Sequence, residues 1–178
     1  MITPPTPAWQ LPPRGVLLAA VVLLVAAELG GASMARYKLE LARWARAGML
    51  AHPAVHGLVG VRDVDEQALD EALFRFDAGL RLFHMHAEGM ALVVIATTTV
   101  ATTLARSPAA RRVLILLLTV GGVGYPLGYL IWSALIPSYG VERSKAIAEW
   151  LIWIPFGGAT IVALLWLAAL TAARMVRR

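Results

Sequence analysis

Four blocks of apolar residues, approximately 15–35, 82–104, 112–136 and 148–172, dominate this chain. Each is close to the ~20 residues that a helix needs to cross the ~30 Å hydrocarbon core of a bilayer. Lipid offers no partner to backbone N–H and C=O groups, so a span of this length satisfies them internally, as a helix. The pattern predicts an all-α integral membrane protein, a four-transmembrane-helix up-down bundle occupying residues 1–178 as one domain. Of the 178 residues, 59% are hydrophobic and 15% charged, which leaves no stretch over for a separate soluble domain. The first block follows Arg14, is longer than a signal-peptide core and lacks a small-x-small cleavage site, so it counts as a helix.

The short flanks set orientation. Residues 105–112 carry Arg106, Arg111 and Arg112 with no acid, and the chain closes with Arg174, Arg177 and Arg178. Between the last two blocks, Glu142 and Glu149 balance Arg143 and Lys145. Positive-inside bias then predicts a plasma-membrane protein with both termini and the 105–112 turn on the cytoplasmic side. Trp132, Tyr139, Trp150 and Trp153 fall at the expected outer boundary, as an interfacial belt does. The formal charge of +5 does not point to nucleic acid, because the basic residues sit at block ends and form no Lys/Arg stripe. The chain has no cysteine, which excludes disulfides, thiolate metal sites and iron–sulfur clusters.

Residues 36–81 are then extracytoplasmic. Helix formers continue over 36–51 with only Gly48 intervening, and Pro53 supplies a stop. Asp63-Val-Asp-Glu66 reads as a capping-box start with acids in the first turn, ahead of Leu69, Leu73, Phe74 and Phe76. The expected form is an extracytoplasmic helical hairpin between helices 1 and 2, its tip near 52–62, with an amphipathic helix lying on the surface as the alternative. The proline-rich start, Thr3-Pro-Pro-Thr-Pro7, reads as a loose tail.

Function is concentrated in Leu82-Phe-His-Met-His-Ala-Glu-Gly-Met90, which sets His84, His86 and Glu88 inside a span. Ionisable groups in hydrocarbon are costly and are enriched at working sites. At ~100° per residue His84 and Glu88 share a face, whereas His86 points to the other side, so one regular helix cannot offer both histidines to one ion. Glu28 is the ionisable residue of the first span and a candidate supporting carboxylate. In the third span Tyr125 and Tyr129 share a face with Gly121, Gly122, Gly128 and Trp132; in the fourth Glu149, Trp153, Phe156 and Thr160 line up. These groups are expected to converge in the outer half, with only threonines and apolar residues in the inner half. His84-x-x-x-Glu88-Gly89 resembles a segment of the nitric-oxide-reductase branch of the haem–copper oxidases, and that resemblance implies a metal-binding histidine beside a glutamate. It spans six residues, and the family's larger helix count and other metal-binding histidines are missing, so it assigns no membership.

The leading expectation is a protein binding haem b or a transition metal (copper, iron or zinc) for electron transfer or metal handling. His84, Glu88 and Glu28 are the metal candidates, and His84, Glu88, His86, Tyr125 and Tyr129 the cofactor-binding ones. The alternatives are a non-catalytic accessory or assembly subunit of a larger membrane complex, and a small proton-coupled transporter. The partners expected are the lipid bilayer and other membrane subunits or further copies of the chain. His86 is read as facing headgroups, a neighbouring subunit or a second haem edge. His52 and His56, separated from His84 by a projecting hairpin, are read as solvent-exposed. The Thr run 97–103 is expected to bond back to its own helix.

Overall fold

Between Arg14 and Val176, helix is broken by two single residues, Tyr37 and Gly140, and by two short stretches, 51–61 and 105–107. The computed structural model describes residues 9–176; the proline-rich start and the last two arginines lie outside them. Five helices result: α1 (Arg14–Arg36), α2 (Lys38–Leu50), α3 (Arg62–Leu104), α4 (Pro108–Tyr139) and α5 (Val141–Val176). Four of them, all but α2, are long and apolar enough to cross a membrane.

Local chemistry explains the ends. α2 stops three residues before Pro53, and a 3₁₀ turn, Pro53–His56, leads to Gly57 and Gly60, both at positive φ. At the start of α3, Asp65 accepts the amide hydrogens of Val59 and Gly60 at 2.7 and 2.9 Å. An acid thus reaches back as in a capping box, but it is Asp65 rather than Glu66, and Val61, not Asp63, holds the cap position and makes no side-chain cap hydrogen bond. Ser107 caps α4, with Pro108 in the first turn where its missing N–H is harmless. Gly140 separates α4 from α5 at φ 75°, and a side chain there would also crowd Val55.

α3 has 43 residues, hence about 65 Å at ~1.5 Å per residue, twice a bilayer core. The expected boundary at 81/82 is therefore a change of composition inside one continuous rod. Nor do α2 and the first half of α3 stand free. Met49, Leu69, Phe76 and Ala45 are buried together with Trp132 and Ile136 of α4 and Ala148 of α5. Gly48 lies against Pro137, and the half-buried His56 sets Nε2 3.1 Å from the Pro137 carbonyl. The reading of His56 as solvent-exposed is corrected here: α4 runs up to the tip and covers it. His52 is exposed, its Nδ1 2.9 Å from the Gly48 carbonyl.

Along the shared contacts, residues pair in opposite order. Gln10 meets Thr103 while Gly31 meets His84; Gly122 meets Val94 while Gly79 meets Ser133; Gly121 meets Thr160 while Gly128 meets Trp153. At the far end Arg174 of α5 donates to the Leu104 carbonyl at 2.8 Å, putting a cation at the C-terminus of α3.

α5 contains a π-helical segment, Glu149–Gly157, with Pro155 inside it. Proline cannot donate to the α ladder, and a wide turn is one way a helix absorbs that defect. Trp153 and Phe156 of this segment press on Gly128 and Gly124, whose lack of side chains lets α5 approach α4 there. The expected aromatic belt divides: Trp150 is exposed, whereas Trp132 is buried and Trp153 half-buried in the helix interface.

Candidate functional site

The polar residues of α3 form two sites on opposite sides of the rod. His84 faces α1. Its Nδ1 lies 2.9 Å from the Ala27 carbonyl, which can only accept, so Nδ1 carries the proton. In the neutral ring Nε2 then keeps its lone pair, and it lies 3.4 Å from Oε1 of Glu88. α1 approaches closely enough for this because Gly30 meets Phe83 and Gly31 meets the imidazole; a Cβ on Gly31 would stand 2.8 Å from His84 Cε1. Away from α1 the pair is open: the His84 side chain is 28% exposed and that of Glu88 37%.

Glu28 does not join them. It is exposed on α1, and among the described residues no hydrogen bond or ion pair connects it to His84. At about 100° per residue, Ala27, Gly31 and Glu28 follow one another around α1 in the same sense. Glu28 is thus turned about 100° round α1 from Ala27, beyond Gly31, and is exposed there. Arg81, at the start of the polar stretch, pairs with Asp77 one turn back on α3 at 2.5 Å.

His86 faces α4. Its Nδ1 is 2.8 Å from the Leu82 carbonyl one turn back, and its ring lies 4.5 Å from that of Tyr129. The Tyr129 hydroxyl is 3.0 Å from that of Tyr125, and the Trp153 ring lies beyond, tilted by 53° with its centroid 4.8 Å from that of Tyr129. The expectation that His86 points at headgroups or a neighbouring subunit is therefore corrected: it is packed inside the chain against two phenols. Trp153 Nε1 is buried here with no hydrogen-bond partner among the described residues. Glu149, which sequence spacing aligned with Trp153, is exposed.

The expected convergence of carboxylates, histidines and tyrosines does not occur, and among the described residues no three His, Asp or Glu side chains gather closely enough to hold a metal ion. Three grooves of about 280, 370 and 460 Å³ lie near Lys38 and Asp77, near Arg112 and Thr119, and near His56 and Arg143; none is lined by His84, His86 or Glu88. Toward the C-terminal end of α3, Thr97, Thr98, Thr99, Thr102 and Thr103 all donate to carbonyls of their own helix. What sequence spacing missed was the backbone partner of His84, which has no residue-type signature; the Gly30-Gly31 pair was the signal of close approach.

Comparison of the chain with protein families, with characterised proteins and with solved structures finds no match.

Proposed function

We propose that this chain is a multi-pass plasma-membrane protein whose His84 and Glu88 bind a transition-metal ion in the outer half of the bundle, for metal handling or electron transfer. Four apolar helices compatible with a multi-pass membrane protein, and contact pairs that run in opposite order between neighbours, support an up-down bundle. The arginines of 105–112 favour that turn and both termini on the cytoplasmic side, with α2 and the start of α3 outside as a hairpin braced by α4.

One observation carries the metal reading, the 3.4 Å between His84 Nε2 and Glu88 Oε1. That is long for a charge-assisted hydrogen bond, which settles near 2.7–2.9 Å. It matches the ~3.3–3.4 Å between two ligands that each stand about 2.0–2.1 Å from a tetrahedral ion. The Nδ1–H bond to a backbone carbonyl is also the outer-shell contact that orients a ligating histidine and frees Nε2. Haem b fits less well, since Gly31 of α1 closes on one side of the imidazole and leaves no slot there. Proton-coupled transport is disfavoured too, because the inner threonine hydroxyls are committed to their own helix and offer no onward path.

Elemental analysis and an optical spectrum of the purified protein, repeated on His84→Ala and Glu88→Ala, test this. Stoichiometric metal lost in both variants is expected. A metal-free, colourless protein would end the reading and leave the accessory-subunit one. The latter is favoured by a separate observation, the exposed Glu28 on an apolar helix, which lipid cannot satisfy and a docked subunit can.

A further inference from the structure

The arginine-rich end of the bundle carries charge of one sign only. Arg14 opens α1, Arg106, Arg111 and Arg112 lie at or just before the start of α4, and Arg174 is in the last turn of α5. None of the 11 acidic residues joins them; the nearest on these helices, Glu28, Glu88 and Glu149, are more than three turns away. Among the described residues Arg14, Arg106, Arg111 and Arg112 enter no ion pair. Both α1 and α4 also start here with no acid in the first turn, so the positive ends of two helix dipoles add to the arginines. Positive-inside bias accounts for the sign of the cluster and leaves its field unbalanced.

A groove of about 370 Å³ opens between these two helix starts. Val16 of α1 and Ile115, Leu116 and Val120 of α4 give it an apolar wall, and Arg112 is its lining residue nearest the start of α4. From Arg112 to Val120 is ~12 Å along the helix, against ~15 Å for the hydrocarbon of one leaflet. Gly15 keeps the α1 side open, since a Cβ there would meet nothing within 4 Å. The groove therefore has the length and polarity that suit an acyl chain, with a guanidinium at the headgroup end. Arginine can hold a phosphate through two parallel N–H···O bonds. A second copy docked here about a two-fold axis would set the same arginines against each other, and like charges repel.

We propose that this groove holds one acyl chain of an anionic phospholipid, with its phosphodiester on Arg112, in the leaflet that faces the arginine-rich turn. The site lies at the opposite end of the bundle from His84 and Glu88 and stands whether or not they bind a metal.

The test uses the full-length protein, stripped of lipid in mild detergent and then given phosphatidylglycerol, phosphatidylcholine or glycerol 3-phosphate. Native mass spectrometry counts what each chain retains, and thermal unfolding is followed alongside. Expected are one phosphatidylglycerol per chain with a raised Tm, retention of phosphatidylcholine at least about fivefold weaker, and no effect of glycerol 3-phosphate. Arg112→Gln, at an exposed position, should weaken phosphatidylglycerol about fivefold and remove the preference over phosphatidylcholine. Gly15→Leu keeps the charge but fills the groove and should abolish retention; if it fails to fold, Arg112→Gln still decides. Equal retention of the two lipids by the wild type overturns the proposal, as does no retention of either. Phosphatidylglycerol retention indifferent to both substitutions overturns this groove as the site. Glycerol 3-phosphate acting as well as the lipid overturns the acyl-chain role. A lipid-free dimer that Gly15→Leu dissociates overturns the lipid in favour of a second copy.

Discussion

A methyl group added at Gly31 would stand 2.8 Å from His84 Cε1 and 3.0 Å from Nδ1, inside van der Waals contact. The imidazole must yield, and with it the bond to the Ala27 carbonyl. Gly31→Ala is therefore expected to destabilise the protein by about 1–3 kcal/mol in detergent unfolding, and to lower metal content as well. At Gly121 the obstacles are backbone atoms, the Phe156 carbonyl oxygen at 2.7 Å and the Thr160 amide nitrogen at 2.9 Å, which cannot rotate away. Gly121→Ala should cost about 3 kcal/mol, toward the upper end of overpacking effects. Gly89 has open space around it, so Gly89→Ala should leave stability unchanged or slightly raised, as helix propensity alone dictates. Thermal unfolding of the three variants side by side checks the order; equal losses at all three sites would contradict the packing account. That His84 and Glu88 share a face and His86 does not was legible from spacing, because the helical period is local. Which neighbour each face meets was not, because Ala27 contributes a carbonyl that every residue type possesses.

Among elements, α2 shows apolar contact outweighing charge. Its ion pair to α3, Arg46 with Glu66, has side chains 33% and 49% exposed, and such pairs contribute at most about 1 kcal/mol. Met49 is fully buried among Leu69, Phe76 and Ile136. Met49→Ala should cost about 2–5 kcal/mol and loosen α2 against the rest, whereas Arg46→Ala should cost less than about 1. Limited proteolysis within 51–61 reads the difference. The π segment of α5 sets the register of Trp153 and Phe156 against Gly128 and Gly124. Deleting Ile154 would turn everything before it by about 100° relative to the rest. Trp153 would then leave Gly128, and a less stable protein with shifted tryptophan fluorescence is expected; an unchanged spectrum would argue against the register role. The start of α3 and the end of α2 were visible in sequence as acids and Pro53. The π turn was not, since Pro155 also fits a kinked α-helix and only the opposing glycines select between them.

For the whole molecule, sidedness is the property open to direct measurement. The chain has no cysteine, so single introduced thiols report location without background. Ser107→Cys, in the arginine-rich turn, should react with a membrane-impermeant maleimide only after permeabilisation. Gly60→Cys is unsuited as a partner because Gly60 sits at positive φ; Ala54→Cys, exposed in the 51–61 connection, should react in intact cells. The opposite labelling would invert the proposed orientation. Apolar run length determined by itself that the chain forms four long helices, because a backbone facing lipid has no partner but its own turns. Composition likewise excluded disulfides and thiolate metal sites. Tertiary structure decided that α4 climbs beside α2, that His86 goes to the tyrosines and His84 to α1, and that Glu28 stays outside. These outcomes depend on how closely axes approach, and that is set by glycines on one helix meeting particular side chains on another, a relation between distant residues that no local pattern encodes.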